Sequence, residues 1–541
     1  MESGSSLHAV ETVILLLLVM VAAFAAMARR LKVPYPIVLV LAGLLISFLP
    51  HIPRVPLDPN VVFVVFLPPL LYASAWTMSW REFRRNAVVI GLLAVGLVGF
   101  TVWGVAFFSD HFITALDWKA GFLLGAVVAT TDAIAATSIA KTLGLPRRIV
   151  DILEGESLFN DATGLLALEI GVGIILGGQT PTLGGGLVRL GYLVVGGILI
   201  GLLIGFIVSW LEKFIDDGPV ELVVSLVVPY AAYLAGERAH ASGVLAVVAC
   251  GVFMSRKSTQ FFSPAVRLQV QGAWDALTFM LNGLVFVLIG LQLPYVLTGI
   301  HGRYTTGTLI LYGVVFSIVL ITLRLVWVFP AIKTASFVER RLMKHAEDPL
   351  QPREVFVVGW TGMRGVLALA AAISVPEVLG DGRSFEARNL IVFLAFCVIL
   401  VTLVLQGLTL PALIRVLGLA GVSGMDPEEK EARRIVLKAA VRHLEEGRKR
   451  DGHDTEHVYD DILHRYRHKL AAIGVGKEGE LHEVDTEAIS RMQAILEEAL
   501  QAERRTLIGL RDKGKIGDDV LRTIERELDL AETRYQGTPI A

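Results

Sequence analysis

Residues 148–164 read Arg148-Ile149-Val150-Asp151-Ile152-Leu153-Glu154-Gly155-Glu156-Ser157-Leu158-Phe159-Asn160-Asp161-Ala162-Thr163-Gly164. They open an apolar run that continues to about residue 177, long enough to cross a bilayer as a helix. Asp151 and Glu154 fall in its first turns and read as facing water. Glu156 and Asn160 are four residues apart, as are Ser157 and Asp161, so the two pairs occupy adjoining strips of one helix. An ionisable group near the bilayer centre costs at least a few kcal/mol and needs a partner or a function. Carboxylate, hydroxyl and amide oxygens on one face suit a hard cation, and no Cys or His accompanies them as a transition-metal site would require. The alternative is a polar seam between helices, for which two carboxylates are expensive glue.

The rest of the chain fits a membrane setting. Hydrophobic residues make up 54% of 541, mean hydropathy is +0.63, and charged residues are 18%. From Met425 onward 47 of 117 residues are Asp, Glu, Lys or Arg, against 53 of the preceding 424. One soluble globule does not distribute charge so; a polytopic membrane domain over 1–424 and a polar domain over 425–541 do. The formal net charge of −2 gives no overall attraction to nucleic acid. Two cysteines, Cys250 and Cys397, lie far apart in apolar stretches, which excludes a disulfide-stapled secreted fold and makes both core residues.

A window of about 20 residues marks thirteen spans, near 8–28, 33–50, 60–78, 87–109, 119–140, 149–177, 186–211, 219–236, 240–255, 272–298, 306–332, 354–376 and 388–417. The first lacks a basic leader and is followed by Arg29, Arg30 and Lys32, so it reads as a retained span. Alternate loops carry eighteen Lys and Arg on one side and seven on the other. The positive-inside rule then places the tail in the cytoplasm and the N-terminus outside. Thirteen spans allow two inverted six-helix repeats around a linker span. The fifth span is interrupted by Thr130-Thr131-Asp132 and the twelfth by Gly359-Trp360-Thr361-Gly362-Met363-Arg364-Gly365. Each is the fifth element of its half, and broken helices at matching positions point to a substrate site near the midplane.

Asp132 sits near mid-depth, as an ion ligand or as a cap on a broken helix. Arg324, within Ile321-Thr322-Leu323-Arg324-Leu325-Val326, and Arg364 lie too deep to snorkel, so each is expected to pair with a buried carboxylate. Glu169, two turns past Asp161, is either a locally bonded acid or a proton relay.

These residues give the chain a resemblance to the monovalent cation:proton antiporter-1 family, the bacterial sodium/proton exchangers related to the animal exchangers. The likeness rests on Leu67-Pro68-Pro69-Leu70-Leu71-Tyr72, Thr130-Thr131-Asp132, Glu156-Ser157-Leu158-Phe159-Asn160-Asp161, Leu281-Asn282-Gly283-Leu284-Val285-Phe286-Val287-Leu288-Ile289-Gly290 and Gly362-Met363-Arg364-Gly365, in family order over about 10–418. The resemblance implies a homodimer with a dimerisation domain and a mobile core, elevator-type alternating access, and no cofactor beyond the transported Na+ and H+. It implies that Asp161 carries cation and proton in turn, with Ser157, Asp132 and the Thr131 carbonyl completing the monovalent-cation site. Glu156 would pair with Arg324 and stabilise the core beside Asn160. Two positions depart from the family pattern: Ala73 stands where an acid often follows the Pro-Pro-Leu-Leu-aromatic run, and Ala133 where Pro often follows Thr-Asp. The Asn160-Asp161 pair implies electroneutral exchange across the inner (plasma) membrane.

The tail carries helical patterns near 427–447, 456–473, 484–512 and 516–534, with no phosphate loop, Rossmann fingerprint or zinc spacing, and reads as regulatory. His457, Asp461, His464 and His468 share one face, a solvated surface by default and a pH sensor or metal site otherwise. Competing functions are a cation channel or uniporter on a related scaffold and an intramembrane aspartyl protease. The second lacks the Gly-x-Gly-Asp sequence around either Asp132 or Asp161, and no HExxH or nucleophile elbow marks another enzyme.

Overall fold

The computed structural model describes residues 2–49, 57–177, 183–215, 217–262, 264–300, 304–342, 349–379, 382–421, 427–451, 456–473 and 501–510, with 302, 513, 524 and 528. By contact the chain separates into two units, Met1–Val422 and Ser423–Ala541. The described elements are helical. Ten helices among them are long and apolar enough to cross a membrane, so the first unit is a multi-pass membrane protein.

In the first unit α1 (Glu2–Leu31) and α2 (Tyr35–Ile46) are followed by α3 (Leu67–Thr77), entered through a π turn at Val62–Phe66. A second π turn at Leu92–Gly96 leads into α4 (Leu97–Phe112). Then come α5 (Trp118–Ala129), α6 (Ile134–Leu143), α7 (Arg147–Ile175), α8 (Leu183–Leu211), α9 (Gly218–Arg238), α10 (Gly243–Phe261) and α11 (Pro264–Leu291). The unit ends with α12 (Leu293–Ile300), α13 (Thr306–Leu342), α14 (Pro352–Trp360), α15 (Val366–Ile373), α16 (Arg388–Val401) and α17 (Gly407–Val416). Local chemistry sets several starts. Asp117 accepts the Ala120 N–H at 2.9 Å, Ser242 accepts the Leu245 N–H at 3.2 Å, and Gln351 with Glu354 forms a capping box.

The expected spans 119–140 and 354–376 are each two half-helices, α5 with α6 and α14 with α15. The expected 33–50 is helical only over Tyr35–Ile46, and 306–332 extends to Leu342 past Pro330. A proline deep in an apolar bundle does not end a helix when neighbours take up the freed carbonyl.

These helices pack in two groups. One holds α1, α2, α3, α8, α9, α10 and α11; the other holds α4 to α7 and α13 to α17. The groups meet along a seam where α7 and α15 face α3, α10 and α11. Within the first group α2 and α11 touch backbone to backbone, because a side chain at Gly43 or Gly290 would strike the other helix's carbonyls. Cys250 is buried and Cys397 half-buried, both as free thiols.

In the second unit α18 (Pro427–Asp451) and α19 (Glu456–Ile473) are tied by Arg448–Asp460 at 3.0 Å and Arg467–Glu445 at 2.7 Å. Residues 501–510 are helical; the remainder of the expected 484–512 and nearly all of 516–534 lie outside the described residues. Of the proposed histidine face only His464 has a described side chain, which is exposed; those of His457, Asp461 and His468 lie outside the description.

Candidate ion-binding site

The two breaks face each other. Between α5 and α6 the chain runs extended at Thr130, and between α14 and α15 it leaves the helix at Thr361 and re-enters after Gly365. The Asp132 N–H donates to the Met363 carbonyl at 2.8 Å, joining the two breaks through backbone. A side chain at Gly365 would occupy the space of the Asp132 carboxylate, so glycine there permits the close crossing.

Four half-helix ends meet at this crossing, each with unsatisfied backbone groups. The Asp132 carboxylate lies at the start of α6 and accepts the Ile134 N–H at 2.8 Å. Arg364, 1% exposed, donates from Nε to the Val128 carbonyl at 3.0 Å and from Nη1 to the Gly362 carbonyl, near the ends of α5 and α14. An anion thus sits at a helix N-terminus and a cation at helix C-termini, the arrangement the helix dipole favours. This corrects the expectation that Arg364 pairs with a carboxylate: its hydrogen-bond acceptors among the described residues are carbonyls. Its own N–H donates to Thr402 Oγ1 at 3.2 Å, a contact the sequence reading missed because a threonine in an apolar span gives no signal of its partner.

Glu156 and Arg324, 1% and 0% exposed, form a two-pronged pair. Nη1 meets Oε1 and Nη2 meets Oε2 at 2.8 Å, while Nη2 also donates to the Val358 carbonyl at 3.1 Å. This holds α7 to α13 and α14. The Thr131 hydroxyl donates to Glu156 Oε1 at 3.2 Å and accepts from Asn160 Nδ2 at 2.5 Å. Ser157 Oγ donates to the Thr131 carbonyl at 2.9 Å and accepts the Ala133 N–H at 3.4 Å. Glu156, Asn160, Thr131 and Ser157 therefore lock α7 onto the break between α5 and α6, without a proline at position 133.

Asp161 stands apart from this network. It is 9% exposed, and no described hydrogen-bond donor reaches its carboxylate, although Asp132 lies within electrostatic reach. Two neighbouring carboxylates repel, and either a proton or a cation relieves that repulsion. A cavity of about 400 Å³ leads to Ser157, Ala133 and Ile134, with Glu154, Arg267 and Asp275 also on its walls. Tyr72, Trp76 and Trp274 form its aromatic side. Sequence reasoning missed Trp76 and Trp274 and met Tyr72 only within a family motif, because an apolar window cannot tell cavity-lining aromatics from lipid-facing ones. Ala73, the site of the absent acid, lines this cavity as well.

Residues 14–416 match the family model described as sodium/hydrogen exchanger, transmembrane. The chain is 31% identical over 519 residues to the uncharacterized Na+/H+ exchanger YjcE of Escherichia coli K12, covering 93% of this chain and 94% of that one. It is 33% identical over 416 residues to the Na+/H+ antiporter ApNhaP of Aphanothece halophytica, covering 76% and 75%. Among solved structures it resembles the sodium proton antiporter MjNhaP1 of Methanocaldococcus jannaschii, with a TM-score of 0.58 at 22% identity over 76% of this chain and 99% of that one.

Proposed function

The chain belongs to the sodium/hydrogen exchanger family, and we propose that it is a secondary antiporter exchanging a monovalent cation, Na+ foremost with Li+ and K+ as candidates, for H+. It works in the inner (plasma) membrane with its tail in the cytoplasm, as a homodimer of thirteen-span chains built on inverted repeats. The carrying observation is Asp161, a buried carboxylate on α7 that no described donor reaches, while Glu156 and Ser157 on the same helix are hydrogen-bonded. Asp161 takes a proton or a cation. Asp132, Ser157 and the Thr131 carbonyl supply further oxygens to the cation, which suits its hardness. The Ser157–Thr131 bond then opens or is shared. Glu156 stays with Arg324 and carries nothing. The group of α4 to α7 and α13 to α17 moves as the elevator against the other, and the sparse seam between the groups supports that division.

The test is proton flux in inverted vesicles challenged separately with Na+, Li+ and K+. Wild type exchanges at least one of them. Asp161→Asn, which keeps the shape and loses the charge, exchanges none while expressing normally. Coupled exchange in that variant would remove Asp161 from the mechanism.

A further inference from the structure

Glu169 has no place in the ion site, yet the structure gives it a partner. Its Oε1 lies 3.1 Å from Arg189 Nη2, so an ion pair joins α7 to α8. These helices belong to different packing groups: α7 packs with α5, and α8 with α9 and α10. Arg189 is itself held on the α8 side. Its Nη1 donates to the His240 carbonyl at 3.3 Å, and its guanidinium lies over the Tyr192 ring at 6.0 Å. Tyr192 donates to the Ala239 carbonyl at 2.8 Å, and the Ser242 N–H donates to the Leu193 carbonyl at 3.3 Å. His240 takes a left-handed backbone conformation, φ +53°, in the turn between α9 and α10. Arg189 is thus anchored to one group and grips the carrier helix of the other.

The position along α7 gives the contact its meaning. Glu154, near one end, lines the cavity. Glu169 is fifteen residues further along, roughly 22 Å at the helical rise, toward the opposite membrane face. The cavity is open at one end of α7 while the pair is closed at the other. We propose that Glu169–Arg189 is a latch on the side opposite the cavity, made in this state and broken when α7 moves to expose Asp161 on the far side. The proposal rests on the antiport reading and its moving core. Glu169 and Arg189 position the carrier helix and touch no ion.

An exposed ion pair biases a two-state equilibrium by about two- to fivefold. When the far-side-open state is the minor one, apparent affinity measured from that side scales with its population. Breaking the latch therefore lowers the half-saturating Na+ concentration on the Arg189 side about two- to fivefold. The cavity side changes little.

The experiment uses full-length protein reconstituted in liposomes of either orientation. Glu169→Gln and Arg189→Gln should each produce the one-sided fall, and Glu169→Arg with Arg189→Glu should reverse it. A structural role alone would change thermostability or shift both sides equally, and either equal shifts or none would overturn the latch. A second variant carries Glu169→Cys and Arg189→Cys with Cys250→Ser and Cys397→Ser. A short reducible bis-thiosulfonate should link the pair and stop exchange, and reductant should restore it. Full exchange in the linked protein, or no link formed, would overturn the proposal. Link formation is read without transport, so a link that forms while wild type exchanges no cation would sink the antiport reading and leave the contact standing.

Discussion

Glu156 and Arg324 show what a buried charge requires. Neither reaches water, and each supplies the other's counter-charge in a two-pronged geometry. Removing one partner leaves the other unpaired in a low dielectric, at a cost of about 3–5 kcal/mol. Glu156→Gln and Arg324→Met should each lower the thermal midpoint of the purified protein. The double variant should recover part of the loss, because neither charge is then stranded. Strictly additive losses would argue against an energetic link between them. The sequence carried this pair as two depth-matched charges in apolar runs and a family likeness. It did not carry the fate of Arg364. Backbone carbonyls at broken helix ends leave no mark in a sequence, so a search for acids could not find acceptors that every residue possesses. Glu169 was obscure for a related reason. Its partner lies twenty residues away on the next helix, α8, and no periodicity links them.

At the scale of elements, the breaks in the fifth and twelfth expected spans were legible because Thr-Thr-Asp and paired glycines interrupt apolar runs. Their crossing was not, since close approach depends on the missing Cβ at Gly365 meeting Asp132. The π turns in apolar helices left no compositional trace either. Ala133 tests what holds the first break. Its φ of −81° is near the value proline imposes, and its N–H makes only a long 3.4 Å bond to Ser157. Ala133→Pro should therefore keep exchange and hold or raise the thermal midpoint, because proline restricts the unfolded chain by about 0.4–1 kcal/mol at a compatible site. A clear fall in the midpoint would show that the Ala133 donor is needed to fix Ser157.

For the whole molecule, we propose coupled exchange of one cation for one proton. Asn160 precedes Asp161 and cannot titrate; here it is spent on Thr131. Glu156 is engaged in its two-pronged pair with Arg324. On the proposed reading one acid, Asp161, alternates between proton and cation, with Asp132, hydrogen-bonded at the start of α6, as a further ligand. A cycle of that kind moves no net charge, so membrane potential does not drive it. A uniporter would follow potential directly, and a site with two carrying acids would follow it in part. The measurement is the null point of proton flux in sealed liposomes holding a fixed Na+ gradient. The pH gradient that stops net flux should match the Na+ gradient one for one. It should stay in place when a potential is imposed with a lipophilic cation in potassium-free medium. A null point that moves with potential would show that charge crosses with each cycle and would contradict one-for-one exchange at Asp161.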